Sequence, residues 1–152
     1  MQKNHIQSLV LALILLTLMP ELRSELAPCP SSPNCVSSLA QSKSQKVEPL
    51  LFKGDPTQAL ASLERCILGM AGVKVEAKSD LFWHTTFTTR WLRFIDDVHF
   101  LVQPDQGQIQ IRSASRVGYG DFGTNRRRVN RIIEICQPKL LSQESVISPQ
   151  AP

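Results

Sequence analysis

Hydrophobic positions along this chain follow two rhythms that change at identifiable points. Leu60, Leu63, Ile67 and Met70 recur every three to four residues, which lays them on one face of an α-helix. Asp55 can cap that helix, Pro56 suits its first position, Gln58 completes a capping-box pattern, and Gly69 and Gly72 end it. At Val73 to Ala77 the rhythm becomes strict alternation, the mark of a half-buried strand. Leu81 to Val102 is dense in Phe, Trp, Thr, Val and Ile, residues that fit a pleated surface. As one strand it would run about 70 Å, several times the usual length, so a break is expected near Thr89 to Leu92. Gln103 to Gly107 reads as a turn into a strand from Ile109 to Ser115, which pairs as a hairpin with Phe94 to Val102. A last helix, Thr124 to Gln137, is expected to bury Val129, Ile132, Ile133 and Cys136 and to stop at Pro138. The pattern predicts an α+β fold: an antiparallel sheet of about four strands with two helices packed on one face.

The ends of the chain read differently. Lys3 and His5 precede an apolar run from Leu9 to Met19, interrupted by Thr17 and closed by Pro20. The run is shorter than the 18 or so apolar residues of a spanning helix, so residues 1–27 are expected to act as a signal peptide or N-terminal anchor. Leu22-Arg23-Ser24 and Glu25-Leu26-Ala27 are both imperfect cleavage sites, and Pro28 before Cys29 argues against lipidation of that cysteine. Export to the periplasm, or anchoring in a membrane facing it, is the expectation, with a plastid or thylakoid lumen as the alternative. Ala27 to Lys46 has no periodicity and reads as an ordered lead-in loop. Residues 28–140 suffice for a single domain, followed by a tail, 141–152, expected to be disordered.

Charge changes the picture only locally. The 152-residue chain carries a formal +4, yet Arg112 to Arg131 holds six arginines against Asp121, a net +5. Arg126, Arg127 and Arg128 would fall in the first turn of the last helix, where the exposed N–H groups disfavour cations. An anion is therefore expected beside them: Asp96, Asp97 or Asp121 from within, or an external carboxylate or phosphate. Concentrated charge in an exported chain excludes general nucleic-acid binding and suits an anionic small molecule, a lipid head group or an envelope protein.

Asp96 is the single polar position on the strand face Leu92, Phe94, Asp96, Val98, Phe100, Val102, and an ionised carboxylate there needs a partner. At about 100° per residue Arg126 flanks the apolar face of the last helix, so an Asp96–Arg126 ion pair is expected to pin helix to sheet. The functional reading adds Arg112 and Arg116 as a fork for an external anion, with Ser113, Ser115, Asn125, Arg127 and Arg128 as further ligand-binding candidates. Gly118, Gly120 and Gly123 would let backbone amides approach a ligand, although the segment matches neither the dinucleotide nor the Walker pattern.

Catalytic and metal chemistry have thin support. Asp96 and Asp97 are adjacent on a strand and point to opposite faces, so they cannot share a proton or a metal. Ser113 or Ser115 with His84 or His99 is the alternative, a hydrolase-like arrangement, but no motif links them. No zinc spacing and no cofactor fingerprint is present. Four cysteines in an exported chain point to disulfides. Cys29 and Cys35 flank a proline-rich turn, and Cys66 and Cys136 face inward on the two helices, so Cys29–Cys35 and Cys66–Cys136 are the expected pairs, against buried thiols at Cys66 and Cys136.

Three segments, CPSSPNCVSS from Cys29, FIDDVHF from Phe94 and RSASRVGYGDFGTNRRR from Arg112, together resemble the uncharacterised family known as domain of unknown function 1499. The resemblance covers roughly residues 28 to 137. It implies no established activity, and it implies small exported or membrane-anchored proteins of bacteria with relatives in plastids. The expected function is a small exported module that binds an anionic ligand or a partner; the alternatives are the hydrolase-like enzyme and a purely structural envelope protein.

Overall fold

A computed structural model describes residues 25–142; of the expected leader, 1–27, and the expected tail, 141–152, residues 1–24 and 143–152 lie outside them. The elements run β1 (Cys35–Ser37), β2 (Leu50–Leu51), α1 (Pro56–Leu68), β3 (Val73–Lys78), β4 (Phe82–Thr88), β5 (Ile95–Gln103), a single 3₁₀ turn (Pro104–Gln106), β6 (Gln108–Ser115) and α2 (Thr124–Leu141). The fold is α+β, as the pattern predicts. The sheet is antiparallel in the order β1-β6-β5-β4-β3, with β2 also paired to β6. Its six strands exceed the expected four because the lead-in segment contributes two short pieces, three and two residues long, which add to the edge of β6. Pieces of that length are too short for any period to be seen.

β5 and β6 form the hairpin read from the sequence, in register from Asp96 opposite Ser115 to Gln103 opposite Gln108. Gly107, at φ 60, makes the turn. α1 starts as expected, with the Asp55 carboxylate accepting from the Gln58 amide at 3.0 Å. At its far end Gly72 is required by space. A Cβ there would stand 2.5 Å from the Thr88 carbonyl oxygen, and φ is +76.

Alternation sorts the sheet into two faces. Trp83, Phe87, Val98, Phe100, Ile109 and Ile111 meet Leu63 and Ile67 of α1 and Val129 and Ile132 of α2 in one core. Burying each large apolar side chain contributes about 1.5–3 kcal/mol. The disulfide Cys66–Cys136 ties α1 to α2, and Cys29–Cys35 closes the turn before β1, the two pairs expected.

α2 does not stop at Pro138. It runs through the proline to Leu141, because Leu140 is fully buried in the core and its carbonyl accepts from the Lys53 amide at 3.4 Å. The missing N–H of Pro138 therefore costs less than the packing of the last turn contributes. Among the described residues no helix is long and apolar enough to cross a membrane.

Candidate functional site

The arginine-rich segment is folded around a buried asparagine. Asn125, in the first turn of α2, is fully buried. Its Nδ2 donates to the Asn34 carbonyl at 3.0 Å, Ser115 Oγ at 2.9 Å and Asp121 Oδ2 at 2.8 Å. Its Oδ1 accepts from Ser113 Oγ at 2.6 Å and Arg128 Nη1 at 2.7 Å. A side-chain amide in the core needs its donors and acceptor matched, and here they are. The network ties the lead-in loop, β6 and α2 together at one end of the sheet.

The three consecutive arginines go three ways. Arg128 pairs with Asp96, Nη2 to Oδ2 at 2.5 Å, and lies over the Phe87 ring with 5.2 Å from Cζ to the centroid. Arg126 instead donates to the carbonyls of Lys46 at 2.9 Å and Ser44 at 2.7 Å. The expected Asp96–Arg126 pair is thus corrected to Asp96–Arg128. The buried stripe of α2 runs through Asn125, Val129, Ile132, Cys136 and Leu140, while Ile133 is only half-buried. At about 100° per residue, Arg126 and Arg128 flank that stripe on opposite sides, roughly 80° from its centre. Only the Arg128 side meets β5. Arg127 points outward and donates to the Phe122 carbonyl at 2.7 Å.

The helix start also has its anion. Asp121 accepts from the amides of Gly123 at 2.9 Å and Asn125 at 2.7 Å, capping α2 from two residues before Gly123. Burial alone would raise the Asp121 pKa, but these hydrogen bonds hold it below the ordinary aspartate value.

The opposite face of the sheet carries a second polar group. Register places Arg112 opposite His99 and His84 opposite His99, with Ser113 and Ser115 on the helix side. Asp97 accepts from Arg116 Nε at 3.0 Å and Nη2 at 2.9 Å and lies 2.6 Å from His84 Nε2. Burial tends to raise the Asp97 pKa, yet the Arg116 and His84 hydrogen bonds leave it lowered. His84 and His99 stack at 4.5 Å between centroids.

The ligand-binding candidates are therefore divided. Ser113, Ser115, Asn125 and Arg128 belong to the internal network, Arg112 and Arg116 lie on the open face, and Arg127 is at the surface. Ser113 and Ser115 stand on the opposite face of the sheet from His84 and His99, which the expected hydrolase-like arrangement would need beside them. Among the described residues no group of His, Cys, Asp or Glu could hold a metal.

Two loops at the Asp96 end of the sheet frame a cleft of about 570 Å³. One is 89–94, between β4 and β5; the other is 116–123, between β6 and α2. Asp96, Ser115 and Asp121 are the acidic and hydroxyl part of its lining, and Trp91, Leu92, Phe94, Val117 and Phe122 form its apolar walls. These walls face solvent: Trp91 is 84% exposed and Phe122 98%. Tyr119 is exposed beside them.

Both loops are held in shape. Thr89 clips the first loop by accepting from Phe94 N at Oγ1, 2.9 Å, and from Arg93 N at its carbonyl, 3.2 Å, while its own amide donates to the Phe94 carbonyl at 2.8 Å. Arg93 and Phe122 adopt left-handed backbone conformations, φ 56 and 50, uncommon for side chains of that size. Such strain persists only where the surroundings enforce it, and it concentrates at functional loops. The sequence marks the first loop only as a break in a strand-like run; nothing in period or composition announces that Trp91 and Leu92 would stand in water.

A family model described as a protein of unknown function (DUF1499) matches residues 25–135, a span that takes in β1 through most of α2. No curated protein matches the sequence at a significant level. The match covers the network around Asn125, the open-face cluster and both apolar loops. The chain belongs to the family of proteins of unknown function DUF1499.

Proposed function

We propose that this protein is an exported binding module that docks on an acidic membrane surface through loops 89–94 and 116–123. The observation that carries the reading is the joint exposure of Trp91, Leu92, Val117, Tyr119 and Phe122 on two braced loops that share one cleft. Exposed apolar groups scattered singly need no explanation, whereas a contiguous patch marks an interaction surface. The composition favours a membrane: Trp, Tyr and Phe sit well at a lipid–water boundary, apolar body inward and polar edge outward.

Charge points the same way. Arg90 and Arg93 flank Trp91 and Leu92, and residues 88–95 contain no acidic side chain. Each basic residue near an acidic leaflet contributes about 1 kcal/mol. Arg127 and Arg128 support the loops instead of meeting the ligand, since Arg127 holds the Phe122 carbonyl and Arg128 holds Asp96 beneath the cleft. In this reading lipid head groups are the anionic partner.

Two disulfides fit an oxidising compartment outside the cytoplasm. Delivery there falls to the apolar run Leu9 to Met19, as leader or as retained anchor.

Flotation with vesicles tests the reading. The full-length chain should co-float with phosphatidylglycerol vesicles more than with phosphatidylcholine vesicles, and Trp91→Ser with Phe122→Ser should reduce that binding. Both proteins share the same N-terminal run, so the difference isolates the loops. Equal flotation of the two would remove the loops from any membrane role.

A further inference from the structure

We propose that Arg112 forms a second site, on the open face of the sheet, for a small oxyanion such as a carboxylate or a phosphate group. Arg112 stands on β6 between His99 of β5 and Ser37 of β1, its direct neighbours across the two ladders. Its Nε is covered from solvent and has no hydrogen-bond partner among the described residues. None of the ion pairs among those residues includes it. A covered guanidinium N–H without an acceptor is unfavourable, and such groups in native proteins are normally matched.

The neighbouring carboxylate does not meet the need. Asp97 is gripped by Arg116 through both oxygens and by His84 through one of them. Arg112 therefore feels Asp97 only through space, while burial lowers its own pKa. Of the two open-face arginines, Arg116 completes a local ion pair and Arg112 is left with its Nε–H lacking an acceptor. The planar guanidinium fork fits two oxygens of a carboxylate or phosphate side by side. The stacked rings of Phe82, His99 and His84 continue along the same face and give the site an aromatic wall. The loops that the membrane reading uses extend from the end of the sheet, beyond Ser115, and the cleft they frame is not lined by Arg112.

The test is the thermal unfolding midpoint of the full-length protein in inorganic phosphate against chloride at matched ionic strength. A ligand bound only to the native state raises the midpoint by mass action. Wild type and the surface control Arg127→Gln should both show a rise with phosphate, and Arg112→Gln should lose it. In chloride, Arg112→Gln should match or exceed wild type, because it removes a covered N–H that lacks an acceptor. Arg112→Lys, which keeps the charge without the fork, should retain only part of the rise and guards against a folding defect in the glutamine variant.

No rise in wild type, or an equal rise in Arg112→Gln, would overturn the site. Binding of Arg112→Gln to phosphatidylglycerol vesicles separates the two sources of the oxyanion. Retained binding with a lost phosphate response assigns the site to a soluble anion, and loss of both assigns it to a head group.

Discussion

Arg128 and Asp96 meet at the junction of helix and sheet with Nη2 and Oδ2 2.5 Å apart, 32 residues distant in the chain. Their side chains are 9% and 3% exposed, so this is a buried ion pair beneath the cleft. Arg128 also reaches Ser113 Oγ at 3.1 Å and Asn125 Oδ1 at 2.7 Å. A helix start that looks electrostatically wrong in sequence is thus matched acceptor by acceptor.

The first expected outcome concerns the three arginines. Arg128→Ala leaves Asp96 buried and unmatched, and should cost about 3–5 kcal/mol in urea unfolding. Arg126→Ala and Arg127→Ala each remove surface hydrogen bonds to carbonyls and should cost about 1 kcal/mol or less. Similar losses for all three would show that the Asp96 contact has no special weight.

The disulfides should differ in weight. Cys66–Cys136 spans 70 residues and Cys29–Cys35 spans 6. On the chain-entropy relation, loops of those sizes correspond to about 4 and about 2 kcal/mol. Unfolding of Cys66→Ser/Cys136→Ser and Cys29→Ser/Cys35→Ser, each against wild type, checks the order. A greater loss from the short loop would mean that the lead-in segment depends on its bridge for more than chain entropy.

Acid should weaken the open face. The Asp97 pKa is lowered in the fold, against the tendency of burial to raise it, by Arg116 and His84. A carboxylate with a depressed folded-state pKa stabilises at pH above its ordinary value, and that contribution is lost as pH falls through the lowered one. Wild-type stability should therefore drop below the usual aspartate range, and Asp97→Asn should flatten part of the drop. An NMR titration of the Asp97 carboxyl gives the direct reading; a value at or above the ordinary one would contradict the role assigned to Arg116.

Periodic elements and the cysteine pairs were legible in the sequence, and the partners of the charged side chains were not. Asp55, Pro56 and Gly72 mark α1, the break after Thr88 divides β4 from β5, and the inward cysteines pair as their positions suggest. Asp96 stands out as a carboxylate on an apolar strand face, but its partner depends on which side of α2 meets β5. Ile133 pulls the apparent centre of the helix toward Arg126, whereas the packed stripe leaves Ile133 half-buried. Likewise Pro138 signals a stop that the buried Leu140 overrides. β1 and β2 carry no period because they are held by pairing with β6. The apolar loops read as core-like residues, since an exposed Trp and a buried one look alike in sequence.

Trp91 and Trp83 offer an internal comparison, for the first is exposed on its loop and the second is 1% exposed in the core. The decisive measurement is fluorescence quenching of the full-length protein on phosphatidylglycerol vesicles that carry brominated acyl chains. Trp91 emission should shift to the blue and be quenched by the bromines, Trp83 emission should stay unchanged in Trp91→Phe, and both effects should weaken with salt or in Arg90→Gln/Arg93→Gln. An unshifted, unquenched Trp91 on vesicles to which the protein is demonstrably bound would place the loops in water and contradict membrane docking through this surface.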